Sequence, residues 1–254
     1  MTPLAWDKER VLVTGAGGFI ASHLVEALVE RGAAVRAFVH YNSRGDPGVL
    51  SLLPAQTLAA VEIIAGDLRD EDAVRGAAQG CSLIFHLGAL IAIPYSYRHP
   101  REVAETNLGG TFNVLMAARA SGARLIHTST SEVYGSALSV PIDESHPLQA
   151  QSPYAASKIG ADALVQSFYC AYSLPAVTVR PFNTYGPRQS GRSVIPTIII
   201  QALTQPEIRL GNLKTTRDFT YVSDTVAGFL AAAQADGIEG ETFNLGSGKE
   251  ITIG

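Results

Sequence analysis

Short apolar runs alternate with amphipathic segments along the first 180 residues of the chain. An apolar, β-branched run without a helical period predicts a buried strand, and apolar positions recurring at helical spacing predict a helix. The pattern predicts strands that end near Val13, Val39, Ile64, Leu87, Thr128 and Val179. It predicts helices over residues 22–31, 70–79, 101–121 and 153–172. This alternation indicates an α/β fold, a doubly wound parallel sheet with right-handed crossovers and helices on both faces.

The first predicted strand runs into a glycine-rich turn that opens the first helix. Gly15 and Gly18 allow the backbone to approach a pyrophosphate, whose charge is favoured by the exposed amides and the positive end of the helix. Ala21 is small enough to let the helix pack on the strand. A turn without a ligand is the alternative, but the strand–turn–helix context favours a dinucleotide site. The cofactor contacts predicted in this segment are Gly15, Gly17, Gly18, Phe19 and Ile20.

The ends of the second and third strands bear on which dinucleotide binds. A carboxylate after the second strand would bind the ribose hydroxyls of NAD, whereas an arginine would accommodate the 2′-phosphate of NADP. After the second strand the chain has His40, Ser43 and Arg44, and no acid before Asp46. This favours NADP, and the alternative is that Arg44 is a solvated loop residue. Asp67 is placed to meet the adenine or to cap the following helix. These two roles do not exclude each other.

Two later segments carry candidate chemistry. Tyr154 and Lys158 are four residues apart and therefore share one helix face. A lysine ammonium beside a phenol favours the phenolate and lowers its pKa toward neutrality, so Tyr154 can act as a general base toward an alcohol. Thr130, Ser131 and Glu132 follow an apolar strand. The alternatives are a half-buried aromatic for Tyr154, a solvated charge for Lys158, and turn-forming roles for Ser131 and Glu132.

The composition and net charge of the chain argue against nucleic acid as a partner. The chain has 254 residues, 46% hydrophobic and 17% charged, with a net charge of −4, so it can form a sizeable core and offers no basic surface for nucleic acid. Cys81 and Cys170 stand alone in apolar stretches, which argues against a disulfide framework and for a reducing compartment. No apolar stretch is long enough to span a membrane and no signal peptide is evident, so we expect a cytoplasmic protein. His86 and His127 have no metal-ligand spacing to a cysteine, so no metal is expected.

Seven motifs occur in order, at residues 14–20, 66–68, 86–89, 107–111, 154–158, 180–187 and 217–224. Together they resemble the extended short-chain dehydrogenases/reductases of the nucleotide-sugar epimerase/dehydratase class, from about residue 10 to the last residue. The resemblance implies a Rossmann domain over residues 1–180 and a smaller substrate-binding part over residues 181–254, interleaved with it. Members of the class usually continue for several more helices, so the substrate-binding part is expected to be truncated. A homodimer formed through the two longest helices is also implied.

The resemblance assigns further binding residues. A guanidinium fork is well shaped to pair with a phosphate, so Arg217 is expected on the sugar diphosphate, with an exposed surface charge as the alternative. The additional cofactor contacts are Leu68, Leu87, Ala89, Asn107, Thr128, Tyr154, Lys158 and Pro181. The substrate contacts are Ile93, Glu132, Asn183, Arg192 and Arg217. The substrate is a nucleoside-diphosphate sugar, with the base left open.

The triplet Thr130-Ser131-Glu132 discriminates within the class. Simple 4-epimerases usually carry a small residue where Glu132 stands, and dTDP-glucose 4,6-dehydratases usually carry an aspartate where Ser131 stands. The triplet resembles GDP-mannose 4,6-dehydratases, UDP-glucuronate decarboxylases and bacterial UDP-N-acetylhexosamine 4,6-dehydratases of the legionaminic-acid type. A 4,6-dehydratase that makes a 4-keto-6-deoxy sugar nucleotide is therefore expected. A decarboxylase or epimerase of the same superfamily is the nearer alternative, and a non-catalytic cofactor-binding sensor the more distant one.

The resemblance also implies a mechanism. Tyr154 removes the C4 hydroxyl proton while hydride passes from C4 to the cofactor, and Thr130 hydrogen-bonds the same oxygen. The C4 ketone acidifies the C5 hydrogen, which Glu132 removes. Water then leaves C6 with help from Ser131 or from protonated Glu132, and the hydride returns to C6.

Overall fold

A computed structural model describes residues 4–254 of the chain. The strands are β1 Arg10–Thr14, β2 Ala34–His40, β3 Val61–Gly66, β4 Leu83–His86, β5 Arg124–Thr128, β6 Ala176–Pro181, β7 Asn183–Tyr185, β8 Thr216–Arg217, β9 Phe219–Tyr221, β10 Thr242–Leu245 and β11 Ile251–Thr252. The helices are α1 Phe19–Glu30, α2 Ala55–Ala59, α3 Glu71–Ala78, α4 Ile93–Arg98, α5 Pro100–Ala104, α6 Gly110–Ser121, α7 Pro153–Tyr172, α8 Val194–Thr204 and α9 Val222–Gln234.

The predicted doubly wound sheet is confirmed. Seven strands pair in the order β10-β6-β5-β4-β1-β2-β3, all parallel. The central strands are apolar because both of their faces are covered, and every residue of β4 and β6 is buried. The chain order reverses direction beside β1, and ligands of such sheets bind at the carboxyl ends of the strands at that point. β10 joins the sheet beside β6, so the part after residue 180 contributes an edge strand to it.

Helices cover the sheet on both faces and close two cores. On one face α1 and α9 pack on the sheet, with Leu24 and Phe229 fully buried and the rings of Phe85 and Phe229 edge to face at 6.5 Å. On the other face α3, α6 and α7 enclose Val114 and Leu115. Packing in these two cores holds the carboxyl ends of the strands, and with them the candidate site, at one edge of the sheet.

The helix predicted over residues 101–121 contains an irregular turn. The helical path runs through α5, a π-helix at Glu105–Gly109 and then α6. The π turn places the side chain of Asn107 against the backbone of Leu90, donating to its oxygen at 3.0 Å and accepting from its nitrogen at 2.7 Å. The wider helical turn is therefore fixed by a tertiary contact that helical periodicity does not reveal.

Short ribbons from the last third of the chain form a wall beside the carboxyl edge of the sheet. β7 pairs with β9, and β11 pairs with β8 in the antiparallel sense. Asp218 joins the ribbons to the turn after β10, because its carboxylate accepts from the backbone nitrogens of Ser247 and Gly248 at 2.9 and 2.8 Å. Within residues 4–254, no helix is both long and apolar enough to cross a membrane.

Candidate active site

The glycine turn between β1 and α1 is shaped by close packing. Gly15 adopts φ +66°, and a Cβ built on it would lie 2.6 Å from the Cα of Gly88, which belongs to the turn after β4. Gly17 packs in the same way on the carbonyl of Pro47. Gly18 caps α1 without a side-chain hydrogen bond, so the first amides of the helix stay open for an anion. Phe19 and Ile20 begin the helix itself.

These features fit a dinucleotide. A side chain at Gly15 or Gly17 would displace backbone, and the open amides of α1 meet the charge of a pyrophosphate. Thr128, the last residue of β5, was expected to contact the cofactor. Its hydroxyl is buried and has no hydrogen-bond partner in the described part of the chain, so a polar ligand group there would satisfy it.

The loop after β2 carries the residues expected at the adenosine end. His40 ends the strand, and Ser43 and Arg44 are exposed in the loop. Asn42 holds the loop together, because its Oδ1 accepts from the backbone nitrogens of Arg44 and Asp46 at 3.2 and 3.0 Å. Arg44 is thereby presented to solvent on a fixed loop beside the glycine turn.

The expectation that Asp67 caps the following helix is wrong. The cap of α3 is Asp70, whose side chain accepts from the nitrogens of Asp72 and Ala73. Asp67 instead pairs with Arg69 at 2.5 Å, and this guanidinium holds the pKa of the carboxyl below its ordinary value. Leu68 beside it is buried. The expected contact of Asp67 with an adenine stays a prediction.

His86, at the end of β4, positions the turn that contains Leu87 and Ala89. The Thr111 hydroxyl donates to the carbonyl of Asn107 at 2.6 Å, so it accepts from Nε2–H of His86 at 3.0 Å. Nδ1 of His86 then accepts from the Thr14 hydroxyl at 2.7 Å, which in turn accepts from the nitrogen of Gly88 at 3.1 Å. Burial lowers the pKa of His86 well below its ordinary value, which agrees with this neutral tautomer. The hydrogen bonds of His86 are therefore all made to the protein itself.

The triplet lies where β5 ends. The Thr130 hydroxyl accepts from the nitrogen of Glu132 at 3.2 Å and so caps a 3-10 turn over Ser131–Tyr134. Ser131 and Glu132 line a cavity of about 740 Å³. The cap therefore fixes the backbone of Glu132 at the wall of this cavity.

Tyr154 and Lys158 are both buried on α7, which begins with the Ser152 hydroxyl capping the nitrogen of Ala155. Burial raises the pKa of Tyr154 to about 12, against the lowering effect of the Thr130 hydroxyl beside it. Burial also lowers the pKa of Lys158 to about 8. The expected lowering of the phenol pKa toward neutrality is therefore wrong for the chain alone, because burial of the phenol, together with the charges of Glu132 and Asp162, outweighs the effect of Thr130.

A buried ionic cluster behind these residues escaped the sequence analysis. Asp162 accepts from Nε and Nη2 of Arg180 at 3.2 and 3.0 Å and from the Ser129 hydroxyl at 2.8 Å, and its other oxygen meets Nε2 of His127 at 3.2 Å. Arg180 lies inside β6, which runs past its predicted end near Val179, and Nη1 of Arg180 donates to Tyr134 at 2.9 Å. The signal in the sequence was an acid four residues beyond Lys158, on the same helix face.

The expected substrate residues divide between two cavities. Asn183 on β7 and Arg217 on β8 line both the 740 Å³ cavity and a neighbouring cavity of about 360 Å³. Arg192 lines only the smaller one. Ile93, the first residue of α4, lines neither. Two exposed cations that were not singled out from the sequence, Lys214 and Lys249, also line the larger cavity.

The remaining expected cofactor residues converge on the same edge. Asn107 donates to the Ser157 hydroxyl at 2.9 Å, which ties the π turn to α7 between Tyr154 and Lys158. Pro181 ends β6 and is buried. A Rossmann sheet with a glycine turn at its first strand and a tyrosine and lysine on one helix face defines a class, the short-chain dehydrogenases/reductases of extended type.

Comparison with known proteins identifies the family. The family model for GDP-mannose 4,6 dehydratase matches residues 12–254, and the chain belongs to this family. The chain is 34% identical over 254 residues to dTDP-D-glucose 4,6-dehydratase of Homo sapiens, covering 96% of this chain and 71% of the relative. It is 34% identical to UDP-glucose 4-epimerase of Mycolicibacterium smegmatis, covering 96% and 79%. The solved structure of DesIV, a dTDP-glucose 4,6-dehydratase from Streptomyces venezuelae with NAD and TYD bound, superposes with a TM-score of 0.87 at 32% identity, covering 96% and 77%. The family resemblance drawn from the seven motifs is confirmed.

Proposed function

We propose that the chain is a nucleotide-sugar 4,6-dehydratase that makes a 4-keto-6-deoxy sugar nucleotide with a bound NAD(P). The observation that carries this proposal is the free carboxylate of Glu132. It lines the larger cavity and makes no hydrogen bond or ion pair within the described residues. The other acids of that cavity are engaged by the protein itself: Asp143 by Ser145, Glu144 by the nitrogen of Asn244, Asp218 by Ser247, and Glu250 by Thr216.

A free carboxylate beside Tyr154 supports dehydration rather than simple epimerisation. Oxidation at C4 needs one base, and Tyr154 supplies it. Removal of the C5 proton needs a second protein base close to C5 of the sugar, and Glu132 provides it. The protonated Glu132 then gives this proton to the C6 hydroxyl, which leaves as water. Ser131 lies next to Glu132 in the cavity wall, where it would hydrogen-bond the departing oxygen.

The bound dinucleotide would supply hydride acceptance at C4 and hydride return to C6. The turn Gly15–Ile20 would hold its pyrophosphate, and the unpartnered hydroxyl of Thr128 would bind a polar group of the same cofactor. The positive charge of an oxidised nicotinamide adds to that of Lys158, and both favour the Tyr154 phenolate against the cost of burial. Arg44, with no acid at the end of β2, supports NADP over NAD. Calorimetric titration with both dinucleotides tests this preference, and an Arg44→Ala chain should lose affinity for NADP alone.

The part of the chain after residue 180 forms the substrate side of the proposed site. Arg217, Lys214 and Lys249 give the larger cavity a set of cations that suits a diphosphate. Asn183 lies between the two cavities, where it reaches the same group. The division into a Rossmann domain over residues 1–180 and a substrate-binding part over residues 181–254 rests on this arrangement.

The proposal is tested by incubating the protein with a panel of nucleotide sugars and weighing the products. Loss of one water from a hexose nucleotide, without consumption of added cofactor, is expected. Loss of carbon dioxide from UDP-glucuronate would identify a decarboxylase, and an isomer of unchanged mass an epimerase. Tight cofactor binding without any turnover would identify a sensor.

Variants separate the two bases. Glu132→Gln should still oxidise C4, so that the absorbance of reduced nicotinamide accumulates, while dehydration falls by a factor on the order of 10²–10⁴. Tyr154→Phe should block both steps. Asp143→Asn is the matched control, since Asp143 lines the same cavity but is held by Ser145. Full dehydration by Glu132→Gln would remove Glu132 from its proposed role.

We also propose a cytoplasmic homodimer. Leu108, Phe112 and Tyr172 are 37%, 43% and 50% exposed on the outer sides of the π turn, α6 and α7. Large apolar side chains gathered on two neighbouring helices support a contact with a second copy.

A further inference from the structure

The cluster around Asp162 has no place in the mechanism proposed above, yet it lies directly behind Lys158. Asp162 is one helical turn beyond Lys158 and two turns beyond Tyr154, so the three side chains share one face of α7. All three are buried, with Lys158 3% and Asp162 8% exposed. A charge placed this deep is strongly influenced by the charges around it.

The carboxylate of Asp162 has two cations to balance. One of its oxygens accepts both Nε and Nη2 of Arg180, at 3.2 and 3.0 Å, so Arg180 is its direct partner. No ion pair joins Asp162 to Lys158 in the described part of the chain. The cluster of one carboxylate and two cations therefore keeps one surplus positive charge, and this charge lies on the side of Tyr154.

The rest of the cluster holds Asp162 in place. His127 on β5 and Ser129, which follows the strand, both contact Asp162. Tyr134 accepts from Nη1 of Arg180 and donates to Oδ1 of Asn244 on β10 at 2.7 Å. The donors that reach Asp162 come from β6 and from the end of β5, whereas Nδ1 of His127 has no hydrogen-bond partner within the described residues. A buried carboxylate with this many fixed donors stays ionised and immobile.

We propose that Asp162 is a positioning residue that keeps Lys158 protonated behind Tyr154, and that Arg180 limits this effect by sharing the carboxylate. Asp162 touches neither substrate nor cofactor in this arrangement. It acts through Lys158, and Arg180 determines how strongly the negative charge of Asp162 stabilises the ammonium of Lys158.

The neighbouring charges are consistent with this assignment. Burial lowers the pKa of Lys158, and Asp162 is the group that raises it. Glu132 acts on Tyr154 rather than on Lys158. Burial also lowers the pKa of both histidines nearby, so neither adds a charge. The titratable groups around Lys158 are His86 on β4, His127 on β5, and Tyr154 and Asp162 on its own helix α7.

The sequence makes a direct test practical because it contains four lysines. In protein labelled with carbon-13 at lysine Cε, Lys158 gives one of four resonances, assigned by its loss in Lys158→Met. Its titration midpoint is measured against pH in the full chain without substrate. The internal standards are the exposed residues Lys8, Lys214 and Lys249.

The two partners should shift the midpoint in opposite directions. In the unaltered chain Lys158 should titrate near pH 8. Asp162→Asn should lower the midpoint by about one pH unit or more, a tenfold change in protonation. Arg180→Gln should raise it, because the carboxylate is then left to Lys158 alone. Ser129→Ala, which removes a neutral donor from the same carboxylate, should leave it in place, and Asp162→Glu should restore it.

A general loss of packing cannot produce opposite shifts, so the pair of variants separates positioning from a structural role. An unchanged Lys158 midpoint in folded Asp162→Asn would overturn the proposal. So would a midpoint below about pH 7 in the unaltered chain, which decides the matter even where a variant fails to fold. The proposed dehydratase activity is one reason for interest in Lys158, but the titration needs no turnover. If turnover is found, the upper limb of its pH profile should move with the same midpoint.

Discussion

Replacement of Gly15 by alanine tests the close approach of two turns at the proposed cofactor site. Two costs follow from the structure. The φ of +66° is strained for any residue with a Cβ, by about 1–2 kcal/mol. The new Cβ would also lie 2.6 Å from the Cα and 2.7 Å from the nitrogen of Gly88, so backbone must move. Overpacking of this kind costs about 1–3 kcal/mol.

Gly122 provides the matched control. It caps α6 with φ +70°, and a Cβ built on it meets nothing within 4 Å. Gly122→Ala therefore carries the strain of the left-handed conformation without the collision. It should lose about 1–2 kcal/mol, and Gly15→Ala about 2–5 kcal/mol.

The assay combines unfolding in urea with calorimetric titration of NAD(P). Gly15→Ala should bind the dinucleotide at least about tenfold more weakly, about 1.4 kcal/mol, because the turns after β1 and β4 are pushed apart. Gly122→Ala should bind as the unaltered chain does. Equal destabilisation of the two variants, or unchanged dinucleotide affinity in Gly15→Ala, would refute the reasoning.

Three further variants probe charge, pH and assembly. Arg180→Met leaves the Asp162 carboxylate buried without its cation and should cost about 3–5 kcal/mol in urea unfolding; a loss below about 1 kcal/mol would contradict this. Lys158→Met should be roughly 1–3 kcal/mol more stable than the unaltered chain at pH 7. Burial lowers the pKa of Lys158 from 10.5 to about 8, so between these values the unfolded chain binds more protons. The gain in free energy of unfolding in Lys158→Met should therefore shrink as pH rises from about 8 to 10.5. A gain that does not change with pH would refute the lowered pKa of Lys158. Phe112→Asp should sediment as a monomer where the unaltered chain sediments as a dimer, and a surviving dimer would exclude this face.

The fold could be predicted because strand and helix periodicities are strong in this chain. The apolar run Arg10–Thr14 and its glycine turn determine the first strand, the first helix and the position of the site between them. The helix itself begins at Phe19 rather than near residue 22, because glycine residues leave the start of a helix poorly marked. The resemblance to the family rested on ordered motifs, which the comparisons bear out.

Long-range electrostatics could not be predicted. The spacing of Tyr154 and Lys158 indicates a shared face, but it does not reveal that burial raises the pKa of one and lowers that of the other. Arg180 and Asp162 lie on different elements, and only packing brings them together. The cap predicted at Asp67 was wrong for a local reason, since Asp70 occupies the N-cap of α3 and Arg69 pairs with the carboxylate of Asp67.

The π turn at Glu105–Gly109 makes the position of Asn107 depend on the number of residues between α5 and α6. Each residue of an α-helix advances the chain by about 100° around the axis. Deleting a single residue inside the turn would let the helix regularise and would swing Asn107 away from Leu90 and Ser157, even though every site residue kept its identity. A one-residue gap at this position in a relative would therefore change the geometry behind α7 without substituting any of the proposed catalytic side chains.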